Sequence, residues 1–98
     1  MKTVDYEITY IVRPSLEEAE VEERVNTIAE QLKGNGAEVG EIEKMGKRRL
    51  AYEIADVREG YYVVMRFKGE PAAAKELDRQ MRLNDDVIRH LLIKLDES

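Results

Sequence analysis

Apolar residues in this 98-residue chain fall into six periodic blocks, and their succession constrains the fold more than any single motif does. Tyr6, Ile8, Tyr10 and Val12 alternate with Glu7, Thr9, Ile11 and Arg13, the period-two pattern of a strand with one buried face. Pro14 ends that strand. Ser15 and Glu18 stand at capping-box spacing, after which Val21, Val25, Ile28 and Leu32 recur at intervals of four, three and four, a single helical stripe. Five glutamates among residues 17 to 23 fill the first turns, where the helix dipole favours negative charge. Gly34-Asn35-Gly36 tolerates positive φ and stops a helix predicted over residues 16–33.

Residues 37–54 read as one long strand with a bulge or bend between Gly40 and Gly46, because Val39 and Ile42 are out of phase while Leu50, Tyr52 and Ile54 alternate. A turn is expected over 55–60. It leads into Tyr61–Phe67, apolar enough on both sides for a central strand that Gly69 ends. Pro71 suits a first helical position, and Ala74, Leu77 and Met81 give the buried stripe of a helix over 71–82. After Asn84-Asp85-Asp86 comes a last apolar strand, 87–95, whose two faces the pattern does not distinguish. The order strand, helix, strand, strand, helix, strand is the split βαβ unit. It predicts an α+β, ferredoxin-like domain over residues 1–98: a four-stranded antiparallel sheet in the order four, one, three, two, with both helices on one face and the other face open.

The absence of cysteine removes disulfide and thiolate-zinc chemistry, and one histidine leaves little else to hold a metal. His90 reads as a structural histidine. Ser15, a helix cap, and Ser98 are the only serines, so a hydrolytic triad is not expected. Gly34-Asn35-Gly36 follows a helix and precedes a strand, the reverse of a phosphate loop. No cofactor, small-molecule substrate or membrane partner is expected. With no apolar stretch near Met1, the sequence reads as soluble and cytoplasmic.

The net charge of −5 hides a division. Residues 1–43 carry 4 basic and 11 acidic groups, whereas residues 44–94 carry 12 and 8. The densest basic stretch is Lys44-Met45-Gly46-Lys47-Arg48-Arg49, which fits either a charge-protected strand edge or a phosphate-contacting surface. Arg58, Arg66, Arg79, Arg82, Arg89 and Lys94 extend the field. Arg58–Phe67 matches half of an RNA-recognition strand motif, but lacks the small residue between its aromatics. If Val63, Met65 and Phe67 face the helices, Tyr62, Val64 and Arg66 face outward beside Ile11 and part of the last strand, an apolar face suited to a protein partner. Spacing alone leaves two readings open: an RNA-binding module, and a regulatory ligand-binding domain of the same topology that acts through oligomerisation. A third, a small phosphatase, needs an anion-cradling loop after the first strand, and Arg13-Pro14-Ser15 is too short for one.

The chain resembles the family of bacterial small-subunit ribosomal protein six from end to end. Gly46-Lys47-Arg48-Arg49-Leu50-Ala51-Tyr52-Glu53-Ile54 is similar to that family's second-strand signature. Tyr6-Glu7, Gly60-Tyr61-Tyr62 and Leu83-Asn84-Asp85-Asp86-Val87-Ile88-Arg89-His90 agree in order. The resemblance implies a ribosome-associated protein without enzymatic activity. It also implies binding to the central domain of small-subunit ribosomal RNA together with ribosomal protein eighteen, which docks on the open sheet face. The candidate RNA contacts are Lys2, Lys44, Lys47, Arg48, Arg49, Arg82, Arg89 and Lys94; the candidate protein-partner contacts are Ile11, Tyr62, Val64 and Arg66.

Overall fold

The computed structural model describes residues 3–54 and 57–95. Its elements are β1 (Val4–Val12), α1 (Glu18–Gly34), β2 (Glu38–Ile54), β3 (Val57–Gly69), α2 (Pro71–Leu83) and β4 (Val87–Lys94). The strands form one antiparallel sheet in the order β2-β3-β1-β4, the expected ferredoxin-like arrangement. Alternation decides which face is covered. Tyr6, Ile8, Tyr10 and Val12 of β1 and Val63, Met65 and Phe67 of β3 turn to the helices. There they join Val21, Val25, Ile28 and Leu32 of α1 and Ala74, Leu77 and Met81 of α2 in one buried cluster. Tyr6 and Phe67, paired across β1 and β3, stack with ring centroids 5.2 Å apart.

The helix starts differ from the sequence expectation. Glu17, not Ser15, is the N-cap of α1, and the Glu20 carboxylate reaches back to accept the Glu17 amide at 3.0 Å. Leu16 and Val21, both buried, occupy the flanking positions of a hydrophobic staple, which moves the start two residues beyond Ser15. The Ser15 hydroxyl instead accepts a hydrogen bond from Arg13 at 2.8 Å. Pro71 does open α2. Gly36, at φ +89°, turns the chain out of α1.

Of the turn expected over 55–60, residues 57–60 are strand, and 55 and 56 lie outside the described residues. β3 already begins at Val57, and Gly60 lies within it opposite Arg48. β2 carries register shifts between Val39 and Ile42, between Lys44 and Gly46, and between Arg49 and Ile54, and Gly46 has a φ of +82°. The bend inferred near Gly40–Gly46 is therefore two separate irregularities, and one of them uses a backbone conformation that favours glycine.

Pairing settles the faces of β4. His90 and Leu92 lie opposite Tyr10 and Ile8, on the helix side, so Arg89, Leu91 and Ile93 face away. His90 Nε2 lies 2.7 Å from Asp78 Oδ1 of α2, a structural tie between helix and strand. A second tie gathers three parts of the chain. Asp86, just before β4, accepts Arg13 Nε at 2.7 Å and Arg24 Nε of α1 at 2.6 Å, while the Arg13 amide donates to its backbone carbonyl. Hydrogen bonds from Arg24 and then Arg13 hold its carboxyl below the usual carboxylate range.

Two of these features can be tested by substitution. The hydroxyl of fully buried Tyr10 has no hydrogen-bond partner among the described residues, and burial pushes its pKa up. Tyr10→Phe should therefore keep or raise the denaturation midpoint; a decrease in stability above about 1 kcal/mol would mean that the hydroxyl is paired. Because the Asp86 pKa is depressed in the folded state, its contribution is complete above the unfolded carboxylate pKa and is lost as pH falls through the folded one. Asp86→Asn should cost about 1–2 kcal/mol at neutral pH, limited by the water-exposed guanidiniums. It should also flatten the acid limb of stability, measured by urea unfolding from pH 7 to pH 2.

Candidate nucleic-acid interface

β2 and β3 are longer than the strands beside them. Val12 opposite Tyr61 is the last β1–β3 pair, and from Gly60 back to Val57 β3 is paired only with β2. The hairpin therefore leaves the sheet as a two-stranded arm, four β3 residues or about 13 Å long. Lys47, Arg48 and Arg49 stand at its root, opposite Tyr61, Gly60 and Glu59. Strand alternation puts Lys47 and Arg49 on the helix side and Arg48 on the open side. The Lys47 ammonium lies 5.3 Å from the centre of the Tyr61 ring and 3.9 Å from Glu59 Oε1. The Arg48 guanidinium lies 3.3 Å from the Met45 carbonyl oxygen. All three side chains are exposed, and Arg58 adds a cation on the β3 side of the arm.

The other candidate cations are dispersed. Lys44, opposite Val63, turns to the helix side and pairs with Glu22 of α1 at 2.7 Å. That contact lowers the Glu22 pKa through the hydrogen bond and charge of the lysine. Arg82 reaches Asp78 at 3.2 Å on α2. Arg89 stands on the open face opposite Ile11. Lys94, opposite Tyr6, is about 23 Å along the sheet from the root of the arm, counting seven residues of β3. Lys2 lies outside the described residues. The sequence gathers Lys44 with Lys47–Arg49, but the fold separates it.

The open face carries Tyr62, Val64 and Arg66, as the alternation of β3 requires. Arg66 pairs with Glu7 across the strands at 3.1 Å. Ile11 lies on this face but is only 7% exposed, so it offers a partner little surface. Its γ-methyl leans over Gly60, where an added methyl group would lie 2.5 Å away. Leu91 and Ile93 of β4, 61% and 41% exposed, are the apolar part of the last strand on this face, which the sequence pattern left unassigned. β4 is apolar at successive positions, and its faces become visible only through the pairing of His90 with Tyr10 and Asp78.

A cleft between α1 and the β2–β3 hairpin is lined by Glu18, Glu22, Lys44, Tyr61 and Tyr62, and the Lys44–Glu22 pair crosses it. With two carboxylates to one cation, it does not cradle a phosphate. Among the described residues no three His, Asp or Glu side chains converge as metal ligands, and no helix is long and apolar enough to cross a membrane.

Known proteins agree with this architecture. The sequence pattern of the family described as ribosomal protein S6 matches residues 5–94. The small ribosomal subunit protein bS6 of Desulforamulus reducens is 49% identical, over 92% of this chain and 95% of the relative. That of Carboxydothermus hydrogenoformans is 46% identical, over 94% and 96%. The crystal structure of 30S ribosomal protein S6 from Thermotoga maritima superposes with a TM-score of 0.90 at 28% identity, covering 96% of this chain and 89% of that one. Sheet order, helix placement and the whole span from β1 to β4 coincide with these proteins, and the chain belongs to their family: the ribosomal protein S6 family, non-enzymatic structural proteins of the small ribosomal subunit.

Proposed function

We propose that this chain binds the central domain of small-subunit ribosomal RNA through the root of the β2–β3 arm, and that ribosomal protein eighteen docks on the open sheet face, each event favouring the other. The observation that carries the reading is that Lys47, Arg48 and Arg49 stand together where a two-stranded arm leaves the body of a net acidic protein. Cations on both sides of a ribbon suit phosphates approaching from either side. The glutamates of α1 repel RNA from the helical layer, and Lys44 is already neutralised there by Glu22. Tyr62, Val64, Leu91 and Ile93 give the open face an apolar centre that gains from being covered. As a ribosomal protein, the chain works in the cytoplasm, on the ribosome.

A titration of a central-domain rRNA fragment at several salt concentrations, with and without ribosomal protein eighteen, tests both halves. Replacing Lys47, Arg48 and Arg49 by alanine should lower the slope of log affinity against log salt by about 0.9 for each phosphate that is no longer neutralised, with little change in stability. An unchanged slope in folded protein would reduce these cations to guards of a strand edge. In the same titration Tyr62→Ala should weaken partner binding by roughly thirtyfold, the equivalent of a hot-spot effect of about 2 kcal/mol. It should weaken RNA binding mainly when the partner is present. Full partner affinity in the Tyr62 variant would remove the open face from the interface.

A further inference from the structure

At the point where the arm leaves the sheet, three strands meet at one small residue. Gly60 is buried in β3 at the first position beyond the last β1–β3 pair. A methyl group built on it would lie 2.5 Å from Ile11 Cγ2, 3.0 Å from the Val12 carbonyl oxygen and 3.5 Å from Ile88 Cδ1. Its φ is not positive, unlike those of Gly36 and Gly46, so glycine is required here by space and not by backbone conformation. Ile88 is the residue by which β4 shifts register against β1 between Ile11 and Val12, and such an insertion re-aims a side chain and sharpens the local twist. Directly across β2 from Gly60 stands Arg48, flanked by Lys47 and Arg49.

A two-stranded ribbon has little stability or fixed direction of its own, so its bearing is set where it is last supported. We infer that Gly60 is a positioning residue for the basic arm: the missing side chain lets Ile11 and Ile88 close over the β3 backbone, and this packing aims Lys47, Arg48 and Arg49 at the RNA. The inference rests on the RNA-binding reading above. It also accounts for the burial of Ile11 on an otherwise open face, since its side chain is occupied in fixing the arm. A side chain at position 60 has to push away either Ile11 or the β1 backbone, and either movement swings the arm about its root while leaving the helix-side core in place.

The test uses the full chain, the central-domain rRNA fragment and thermal unfolding in parallel, with the triple alanine variant of Lys47, Arg48 and Arg49 as reference. Gly60→Ala should bind the fragment about tenfold more weakly or worse, with a salt slope lowered by about 0.9 for each arm cation carried out of reach. The double variant Gly60→Ala with Ile11→Ala removes the 2.5 Å clash and leaves the 3.0 Å approach to the Val12 carbonyl oxygen, so it should recover part of the affinity and slope. Wild-type binding by folded Gly60→Ala overturns the inference, and so does a folded double variant that binds no better than Gly60→Ala. If Gly60→Ala does not fold, the double variant alone decides, by binding RNA or failing to. If neither folds, Ile11→Ala decides: it should lower the salt slope by loosening the root, and an unchanged slope overturns the inference. A triple variant with an unchanged slope would instead defeat the RNA-binding reading itself.

Discussion

A four-stranded sheet with only two helices has one face more than it can cover, and the other properties of this protein depend on which face is left. The choice lies in β1, whose helix-side residues Tyr6, Ile8, Tyr10 and Val12 are all buried. A shift of one residue would exchange those four with Glu7, Thr9 and Ile11 and place a carboxylate beneath the helices, so the register is strongly specified. β3 is apolar on both sides and follows β1 through pairing: Val63, Met65 and Phe67 are drawn into the core, which leaves Tyr62, Val64 and Arg66 outside. β4 follows in turn, with Leu91 and Ile93 outside. The open face is thus a consequence of how the core is filled.

Charge is sorted by the same geometry. The glutamates of α1 project from the helical layer, where capping and the helix dipole favour them, and one of them takes Lys44 out of the basic stretch. Of the remaining cations of that stretch, Lys47 is level with Val12 at the end of β1, and Arg48 and Arg49 lie past it. A protein with more acidic than basic groups therefore presents a compact basic feature at one end. The end is also anchored, because Asp86 ties β1, α1 and the β4 approach together beside the root of the arm.

Much of this was legible in the residues. The six elements, their order and the stripe of each helix follow from apolar spacing, because burial on one side imposes a period that side-chain chemistry must obey. Four features were not legible, each for a physical reason. The start of α1 depends on Glu20 reaching back to the Glu17 amide and on Leu16 finding the core, which compete with Ser15 in ways spacing does not rank. The early start of β3 at Val57 makes Gly60 a strand residue, and its reason lies in Ile11 and Ile88, far away in sequence. The exposure of Leu91 and Ile93 depends on pairing between β4 and β1, which local pattern does not encode when both sides of a strand are apolar. Lys44 belongs with them: its neighbours in sequence are basic, and its neighbour in space is Glu22.

The central claim is that RNA meets the arm and not the helical layer. The chain contains no cysteine, so a single one introduced at a chosen position can carry an iron chelate that cleaves nearby RNA by generating hydroxyl radicals. Exposed Glu59, on the arm, and exposed Asn26, on α1, are suitable positions. In complexes of the tethered protein with central-domain rRNA and ribosomal protein eighteen, the account predicts a cluster of cleavages from Glu59→Cys and none above background from Asn26→Cys. Strong cleavage from α1 with none from the arm would contradict it.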